Sequence, residues 1–109
     1  MGQNMMLVYI TCRDAGEAKH ISGHLLKRRL AACTNSFPIR SSFWWKGKLE
    51  HSKEVVVLAK GIERDYDEVV KEVRKIHPYK VPCIMKIPVT FNKEYKGWLL
   101  LELHRRANV

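Results

Sequence analysis

The residues from Leu30 to Lys60 restrict the possible folds of this chain more than any other segment. They read LAACTNSFPIRSSFWWKGKLEHSKEVVVLAK, two strand-like arms that meet at Lys46 and Gly47. Glycine tolerates the positive φ that a tight turn needs, so this dipeptide predicts a hairpin turn. The second arm ends in EVVVLAK, whose β-branched residues favour a strand. We therefore expect a long antiparallel hairpin, with Pro38 at a bulge or in an edge strand because proline cannot donate to the ladder.

The residues before the hairpin predict a strand and a helix. Met5 to Cys12 reads MMLVYITC and is almost continuously apolar, which predicts a strand that is central in a sheet or covered on both faces. Asp14 follows as a helix N-cap, with Glu17 at the spacing of a capping box. Apolar residues then recur on one helical face as far as the basic residues 27–29, whose charges complement the helix dipole. Gly23, inside this helix, is interpreted as a point of close packing between helix and sheet.

The residues after the hairpin predict a helix, a strand and a second helix. Apolar residues over 62–76 repeat at spacings of three and four, and Pro78 ends that helix. VPCIMKIPV, over 81–89, predicts a last core strand, and NKEYKGWLLLELH, over 92–104, predicts a closing helix. With right-handed crossovers, this order predicts an α+β, ferredoxin-like β-α-β-β-α-β sandwich with a long hairpin and a C-terminal helix. We expect a single domain over residues 1–109.

The hairpin arms exceed the usual length of a strand, so part of each arm must be covered by something outside the core. A second copy of the chain is the simplest cover, and we expect association between copies. Trp44 and Trp45 are adjacent, and adjacent residues of a strand face opposite ways. We therefore expect one of the two rings to enter the core and the other to contact a partner subunit.

Composition narrows the class of protein. The net charge is +9, but the basic residues are scattered and no nucleic-acid-binding motif accompanies them. We expect no specific nucleic-acid binding, although base stacking on the tryptophans is the minority alternative. No apolar run is long enough to span a membrane, and we expect no secretory leader. The 3 cysteines are far apart and odd in number, which indicates reduced thiols and a cytoplasmic protein.

Four motifs taken together resemble the CutA divalent-cation tolerance proteins. They are LAACTN, WWKGKLE, HPYKVPC and GWLLLEL, in that order and spacing, and the resemblance extends from Met6 to about Leu103. It implies a ferredoxin-like fold, a cytoplasmic homotrimer assembled through strand edges, and binding of copper and other divalent ions linked to metal tolerance. It implies no firm catalytic activity, so we expect neither an enzyme nor an organic cofactor. The likeness of that family to trimeric PII signalling proteins implies the alternative, a small-ligand sensor or protein-interaction scaffold with incidental metal binding.

The resemblance also implies where a metal would bind. The family's cysteine late in the first strand falls on Ile10, which cannot bind a metal, and Cys12 stands two residues later on the same strand face. The family's histidine at the end of the second helix falls on His77, and Ile76 stands where some members have a second histidine. The first strand and the end of the second helix are therefore the expected sources of ligands.

The corner that follows the helix departs from the family as well. Lys80 and Cys83 stand where the family often carries acids, and Cys33 matches the cysteine of the LAAC motif. A set of cysteines with a histidine is softer than a histidine and carboxylate set, and it favours Cu(I) or Zn. The expected metal ligands are His77, Cys83, Cys12 and Cys33. The alternative is that the cysteines are small core residues and the histidine caps the helix dipole.

A second set of residues follows from the resemblance. Lys60, Tyr79 and Trp98 match residues usual in the family and are expected to line an intersubunit ligand cleft. His20 and His24 lie one helical turn apart, but HISGH lacks the glutamate of a zincin motif. Two ligands make a weak site, so we expect these histidines to form a solvated polar flank.

Overall fold

The computed structural model describes residues 3–105, so positions 1–2 and 106–109 of the expected single domain lie outside the described residues. The elements are β1 (Met5–Cys12), α1 (Ala15–Lys27), β2 (Cys33–Trp45), β3 (Lys48–Ile62), a 3₁₀ turn (Glu63–Asp65), α2 (Tyr66–Ile76), β4 (Ile84–Val89) and α3 (Lys93–His104). Their order and pairing confirm the predicted α+β, ferredoxin-like fold with its long hairpin and C-terminal helix. None of the helices within the described residues is long and apolar enough to cross a membrane.

The sheet has the strand order β2-β3-β1-β4, with every neighbouring pair antiparallel. The pairing of β2 with β3 runs without a break from Cys33–Lys60 to Trp45–Lys48, so there is no bulge at Pro38. Pro38 is tolerated because β2 is an edge strand. Of the two placements expected for this proline, a bulge or an edge strand, the second is therefore confirmed. The turn has positive φ at Lys46 (51°) and at Gly47 (79°), which matches the twist of a two-residue hairpin turn.

The two faces of the sheet carry different helices. The first face, called the α1/α2 face, packs its apolar residues against the buried sides of α1 and α2. Members of this core cluster are Met6, Val8, Ile10, Cys12, Ile21, Leu25, Val57, Ala59, Val69 and Val73. The other face, called the α3 face, is covered by α3 at one end only, through a smaller cluster of Met5, Ile62, Leu99 and Leu103. Side chains alternate between the faces along each strand, so the register assigns every strand residue to one of them.

A buried carboxylate, Glu72, joins the two helices of the α1/α2 face. Its side chain accepts hydrogen bonds from Lys75 of its own helix and from His24 and Arg28 at the end of α1, each at 2.9 Å. The bonds from Lys75 and then His24 lower the pKa of Glu72 to about 2. The carboxylate therefore stabilises the fold above its unfolded pKa, and this contribution is lost only as pH falls through about 2. His24, expected on a solvated flank, is instead part of this contact.

Two of the expectations for strand residues were wrong. Neither tryptophan enters the core, because Trp44 is 72% exposed on the α1/α2 face and Trp45 is 41% exposed on the α3 face. Both lie on the part of the hairpin that extends past the helices, where one chain offers nothing to pack against. The expected core strand over 81–89 begins only at Ile84, forms the other edge of the sheet and is largely exposed.

Close packing of a glycine occurs at a different position from the one expected. Among residues 3–105, a Cβ at Gly23 would have no atom within 4 Å apart from the adjoining backbone of its own helix, so its interpretation as a helix–sheet contact was wrong. A Cβ at Gly61 would lie 2.6 Å from the carbonyl oxygen of Leu30. The backbone after α1 crosses β3 at this point, and only glycine leaves room for it.

Replacing these two glycines by alanine should have opposite effects on the free energy of unfolding. Gly61→Ala should destabilise the protein by about 1–3 kcal/mol, because a backbone carbonyl must move to admit the methyl group. Gly23→Ala should stabilise it by up to about 1 kcal/mol, because the methyl group meets open space and alanine favours the helix. Urea denaturation of both variants measures the difference. A Gly61→Ala variant as stable as the parent would contradict the close approach.

Candidate metal centre

Three potential metal ligands converge at the end of β1. The Sγ atom of Cys12, a carboxylate oxygen of Glu17 and a ring nitrogen of His77 all lie within 4.8 Å of one another. All three residues are buried. We call these three residues the donor cluster. It brings together a thiol, an imidazole and a carboxylate, which are the three side-chain types that bind zinc and copper.

Local chain geometry explains why the first two residues meet. Cys12 is the last residue of β1, and Asp14 caps α1 by accepting the backbone N–H of Glu17 at 2.9 Å. Glu17, in the first turn, reaches back so that its Oε1 accepts the backbone N–H of Arg13 at 2.9 Å. The capping-box spacing was therefore informative, although the returning bond goes to the residue before the cap. The carboxylate is held beside the strand end as a consequence.

His77 reaches the cluster from the end of α2. Its backbone N–H donates to the carbonyl of Val73 at 2.8 Å, which completes the last turn of the helix. Its own ψ of 128° is extended, because the ring of Pro78 excludes the helical conformation for the preceding residue. The proline thus turns the chain where the imidazole is needed, and the side chain is fully buried.

Both ring nitrogens of His77 have hydrogen-bond partners. Nε2 donates to the carbonyl oxygen of Thr11 at 2.8 Å, and Nδ1 accepts the backbone N–H of Tyr79 at 3.2 Å. A carbonyl oxygen only accepts and a backbone N–H only donates, so the bonds assign the ring proton to Nε2. Nε2 also lies 3.9 Å from Oε1 of Glu17. A metal at Nε2 would therefore require the ring proton to move to Nδ1, and the bonds to Thr11 and from Tyr79 would both be lost.

The thiol of Cys12 is also protonated in the absence of a metal. Burial first, and then the nearby carboxylate of Glu17, raise the pKa of Cys12 to about 12. Its Sγ has only a weak contact with the carbonyl oxygen of Ile10, at 3.9 Å. Because the thiolate is the form that binds a metal, the metal itself must displace this proton.

Tyr79 connects the corner after α2 to the central strand. Its hydroxyl donates to Oε2 of Glu54 in β3 at 2.6 Å, and its ring lies 4.7 Å from the ring of His77 between centroids. Burial, then the bond to Glu54, raise the pKa of the Tyr79 hydroxyl well above its ordinary value. The hydroxyl is therefore a permanent donor to Glu54, and it anchors the chain segment that carries His77.

The four expected metal ligands do not form one group. The structure brings Cys12 and His77 together, whereas Cys83 is exposed in the loop before β4 and is not part of the donor cluster. Burial, and then the charge of Glu54, raise the pKa of Cys83 above its usual range. Cys33 lies at the start of β2 and packs against the α3 cluster. Sequence reasoning missed Glu17 as a candidate ligand, although its position three residues after Asp14 placed its carboxylate near the end of β1.

The positions where the chain departs from the expected family pattern are also explained. Ile10 is completely buried in the core of the α1/α2 face, two residues before Cys12 in β1. Ile76 packs partly buried against the same core. Lys80 is exposed in the loop. The two isoleucines therefore fill the core.

The expected ligand cleft is only partly assembled within one chain. Nζ of Lys60 donates to the hydroxyl of Tyr95 at 3.2 Å, and the ring of Tyr95 lies 5.6 Å from the ring of Trp98. Lys60 and Trp98 therefore meet around Tyr95 at the end of the α3 face. Tyr79 is not part of this group and contacts Glu54 instead.

Comparison with known proteins shows extensive similarity. Residues 6–102 match the family model described as CutA1 divalent ion tolerance protein. The divalent-cation tolerance protein CutA of Archaeoglobus fulgidus is 42% identical over 93 residues, which cover 84% of this chain and 91% of that protein. The protein of the same description from Thermotoga maritima is 42% identical over 96 residues, which cover 87% of this chain and 95% of that one.

Solved structures agree with this similarity. The structure of the A. fulgidus protein, described as the periplasmic divalent cation tolerance protein CutA, aligns with a TM-score of 0.89 at 39% identity. The alignment covers 91% of this chain and 98% of that chain. CutA1 from Oryza sativa aligns with a TM-score of 0.88 at 30% identity, covering 92% of this chain and 94% of that chain. The similarity therefore includes both the sheet and the helices around the donor cluster.

Replacing Tyr79 by phenylalanine should lower the free energy of unfolding by about 1–3 kcal/mol, because the carboxyl group of Glu54 loses its hydrogen-bond donor in a buried position. Tyr9→Phe is the matched control, since no hydrogen bond of the Tyr9 hydroxyl occurs within residues 3–105. Urea denaturation at neutral pH compares the two variants. Equal stability of both variants would show that the bond to Glu54 does not hold the corner.

Proposed function

This chain belongs to the CutA1 divalent ion tolerance family, and from that premise we propose that it takes part in the response of a cell to metal ions by binding copper or zinc at the donor cluster. The observation that carries the proposal is the convergence of Cys12, Glu17 and His77 within 4.8 Å. A thiolate and an imidazole favour softer ions over magnesium or calcium. A bound ion would supply the positive charge that stabilises the thiolate of Cys12.

Binding in this proposal is an exchange of protons for a metal. Cys12 gives up its proton to the solvent, whereas the proton of the neutral His77 ring must move from Nε2 to Nδ1. The carbonyl of Thr11 then loses its donor and the backbone N–H of Tyr79 loses its acceptor. The carboxylate of Glu17, when it is ionised, needs no loss or shift of a proton. The affinity of the site for metal should therefore rise with pH.

We propose binding rather than catalysis, in a cytoplasmic protein without an organic cofactor or a sequence-specific nucleic-acid partner. Free thiols at Cys12, Cys33 and Cys83 support a reducing compartment. The description of the A. fulgidus protein as periplasmic is a statement about that protein.

We also propose that the chain is a homotrimer. Strands β2 and β4 form the two edges of the sheet, and each leaves a row of backbone groups available for pairing. The α3 face exposes large apolar side chains beyond α3, each about two-fifths exposed: Phe37, Phe43, Trp45 and Met85. Unpaired edges beside exposed apolar rings favour association between copies.

A second candidate function is a sensor or scaffold of the PII type that binds a small ligand. The contact of Lys60 with Tyr95, and of Tyr95 with Trp98, favours this candidate. A cationic amine beside aromatic rings suits a small anionic ligand. Tyr79 would join this group only from a neighbouring subunit.

Replacing a ligand of the donor cluster should weaken copper binding. We expect Cys12→Ser and His77→Gln each to lower the affinity for Cu(I) about tenfold or more, because each removes a direct bond to the ion. Competition with a chromogenic chelator under anaerobic, reducing conditions measures the affinity. The affinity of the parent should rise between about pH 6 and pH 8, since protons are displaced.

Cys33→Ser is the matched control and should leave the affinity unchanged, since this thiol packs against the α3 cluster. Cys83→Ser tests an expected ligand that lies outside the donor cluster, and it should also have little effect. Circular dichroism confirms that each variant is folded. Parent-like affinity in both Cys12→Ser and His77→Gln would end the proposal and leave the corner a structural turn.

The adjacent tryptophans provide a test of assembly. In dilute buffer we expect sedimentation equilibrium to give three times the chain mass. Trp45→Lys should shift the protein toward smaller species, because a charge would be placed on the α3 face among exposed apolar rings. Trp44→Lys, on the opposite face, is the control and should sediment like the parent. A parent protein that stays monomeric would contradict the trimer.

A further inference from the structure

A groove on the α1/α2 face lies outside the donor cluster. It has a volume of about 570 Å³ and opens between the start of α1 and the place where the hairpin begins to extend past the helices. The start of α1 contributes Arg13, Asp14 and Ala15 to its lining, and the hairpin contributes Pro38, Ile39, Arg40, Lys53, Glu54 and Val55. Neither the proposed metal site nor the cleft around Tyr95 includes these hairpin residues.

Two cations face each other on the floor of this groove. Arg40 in β2 and Lys53 in β3 are direct partners in the register, so both side chains leave the same face of the sheet. Directly opposed residues have Cβ atoms about 4.5–5.5 Å apart, and like charges at this distance destabilise a sheet. Within residues 3–105, neither side chain has an ion pair or a hydrogen bond. The fold therefore holds two positive charges together without a direct ion-pair partner among the described residues.

Two of the lining residues, Asp14 and Glu54, are acidic, but within residues 3–105 neither forms an ion pair with Arg40 or Lys53. The carboxylate of Asp14 caps Glu17 and pairs with Arg13 at 3.3 Å. The carboxyl group of Glu54 accepts the hydroxyl of Tyr79 at 2.6 Å. Glu54 also alternates with Lys53 along β3, so its side chain leaves the opposite face. The positive charge on the groove floor is left for a ligand.

We propose that this groove binds a small organic dianion, a phosphate monoester or a dicarboxylate, whose negative oxygens bridge Arg40 and Lys53. Guanidinium and ammonium groups are the usual partners of such oxyanions. Ala15, Pro38 and Val55 offer apolar walls for the carbon body of the ligand.

Calorimetric titration of the native oligomer with phenyl phosphate tests the proposal. At pH 8 this compound is a dianion with an apolar body, and we expect it to bind at low ionic strength. Arg40→Gln and Lys53→Gln should each weaken binding at least tenfold. Lys48→Gln is the matched control, because it removes the same charge from β3 on the α3 face near the hairpin turn. Its affinity should equal that of the parent.

Thermal unfolding gives a second signature that a purely structural role would not produce. Without ligand, Lys53→Gln should melt at a higher temperature than the parent, because it relieves the repulsion from Arg40. Phenyl phosphate should raise the melting temperature of the parent and of Lys48→Gln, but not that of Lys53→Gln. A ligand-free Lys53→Gln that melts below the parent would overturn the claim that the pair is uncompensated.

Titrations with succinate and with phenyl phosphate identify the group that is recognised. Tighter binding of either one supports the groove and assigns it to carboxylates or to phosphate esters. Absence of binding by both would overturn the proposal, as would an equal loss of affinity in Lys48→Gln, which would indicate non-specific attraction. A smaller sedimenting species in Arg40→Gln, together with no binding by the parent, would assign the groove to a second copy of the chain.

Discussion

The unbroken hydrogen-bonded length of β3 is the constraint on which the rest of the structure depends. Its later half lies between β1 and β2 at the centre of the sheet, whereas its earlier half pairs with β2 alone. Glu54 is the last residue of β3 that pairs with β2 alone, just before the part that also pairs with β1. Its carboxylate accepts the hydroxyl of Tyr79 and so anchors the corner after α2. Lys60 and Lys53 extend from the same strand toward two other sites. One strand therefore fixes the relative positions of the cluster, the cleft and the groove.

Much of the fold followed from local patterns. The bounds of β1 and the hairpin turn at Lys46 and Gly47 were predicted correctly, because apolar runs and turn residues are local signals. Predictions about packing between elements, at the glycines and at the tryptophans, were less accurate. The close approach was expected at Gly23, whereas the path of the backbone after α1, which no local pattern shows, places it at Gly61. The two tryptophans were assigned correctly to opposite faces of the sheet. The alternation of residues along a strand cannot show, however, that the hairpin extends past the helices that cover the rest of the sheet.

The candidate site divides in a similar way. Residue chemistry and family resemblance singled out Cys12 and His77, which the fold does bring together across the chain. Glu17 was recognised only as a helix-start residue, since its approach to the thiol depends on how α1 turns back from β1. Nothing local indicates that both nitrogens of His77 are already hydrogen-bonded. That detail matters for the proposed metal binding, because the three potential donors already lie together and yet the bond from His77 to Thr11 would have to break before the ring could hold an ion.

The bond from His77 to the carbonyl of Thr11 joins residues 66 positions apart. During synthesis, β1 and its thiol leave the ribosome long before the helix that delivers the imidazole has been made. Until then Cys12 lacks the imidazole of His77, and a partial chain offers only the thiol and the carboxylate of Glu17 where the complete chain offers three kinds of donor. An ion held by the donor cluster consequently reports on a finished protein. In the proposed metal-binding role, the order of translation itself would keep incomplete copies from competing for the metal.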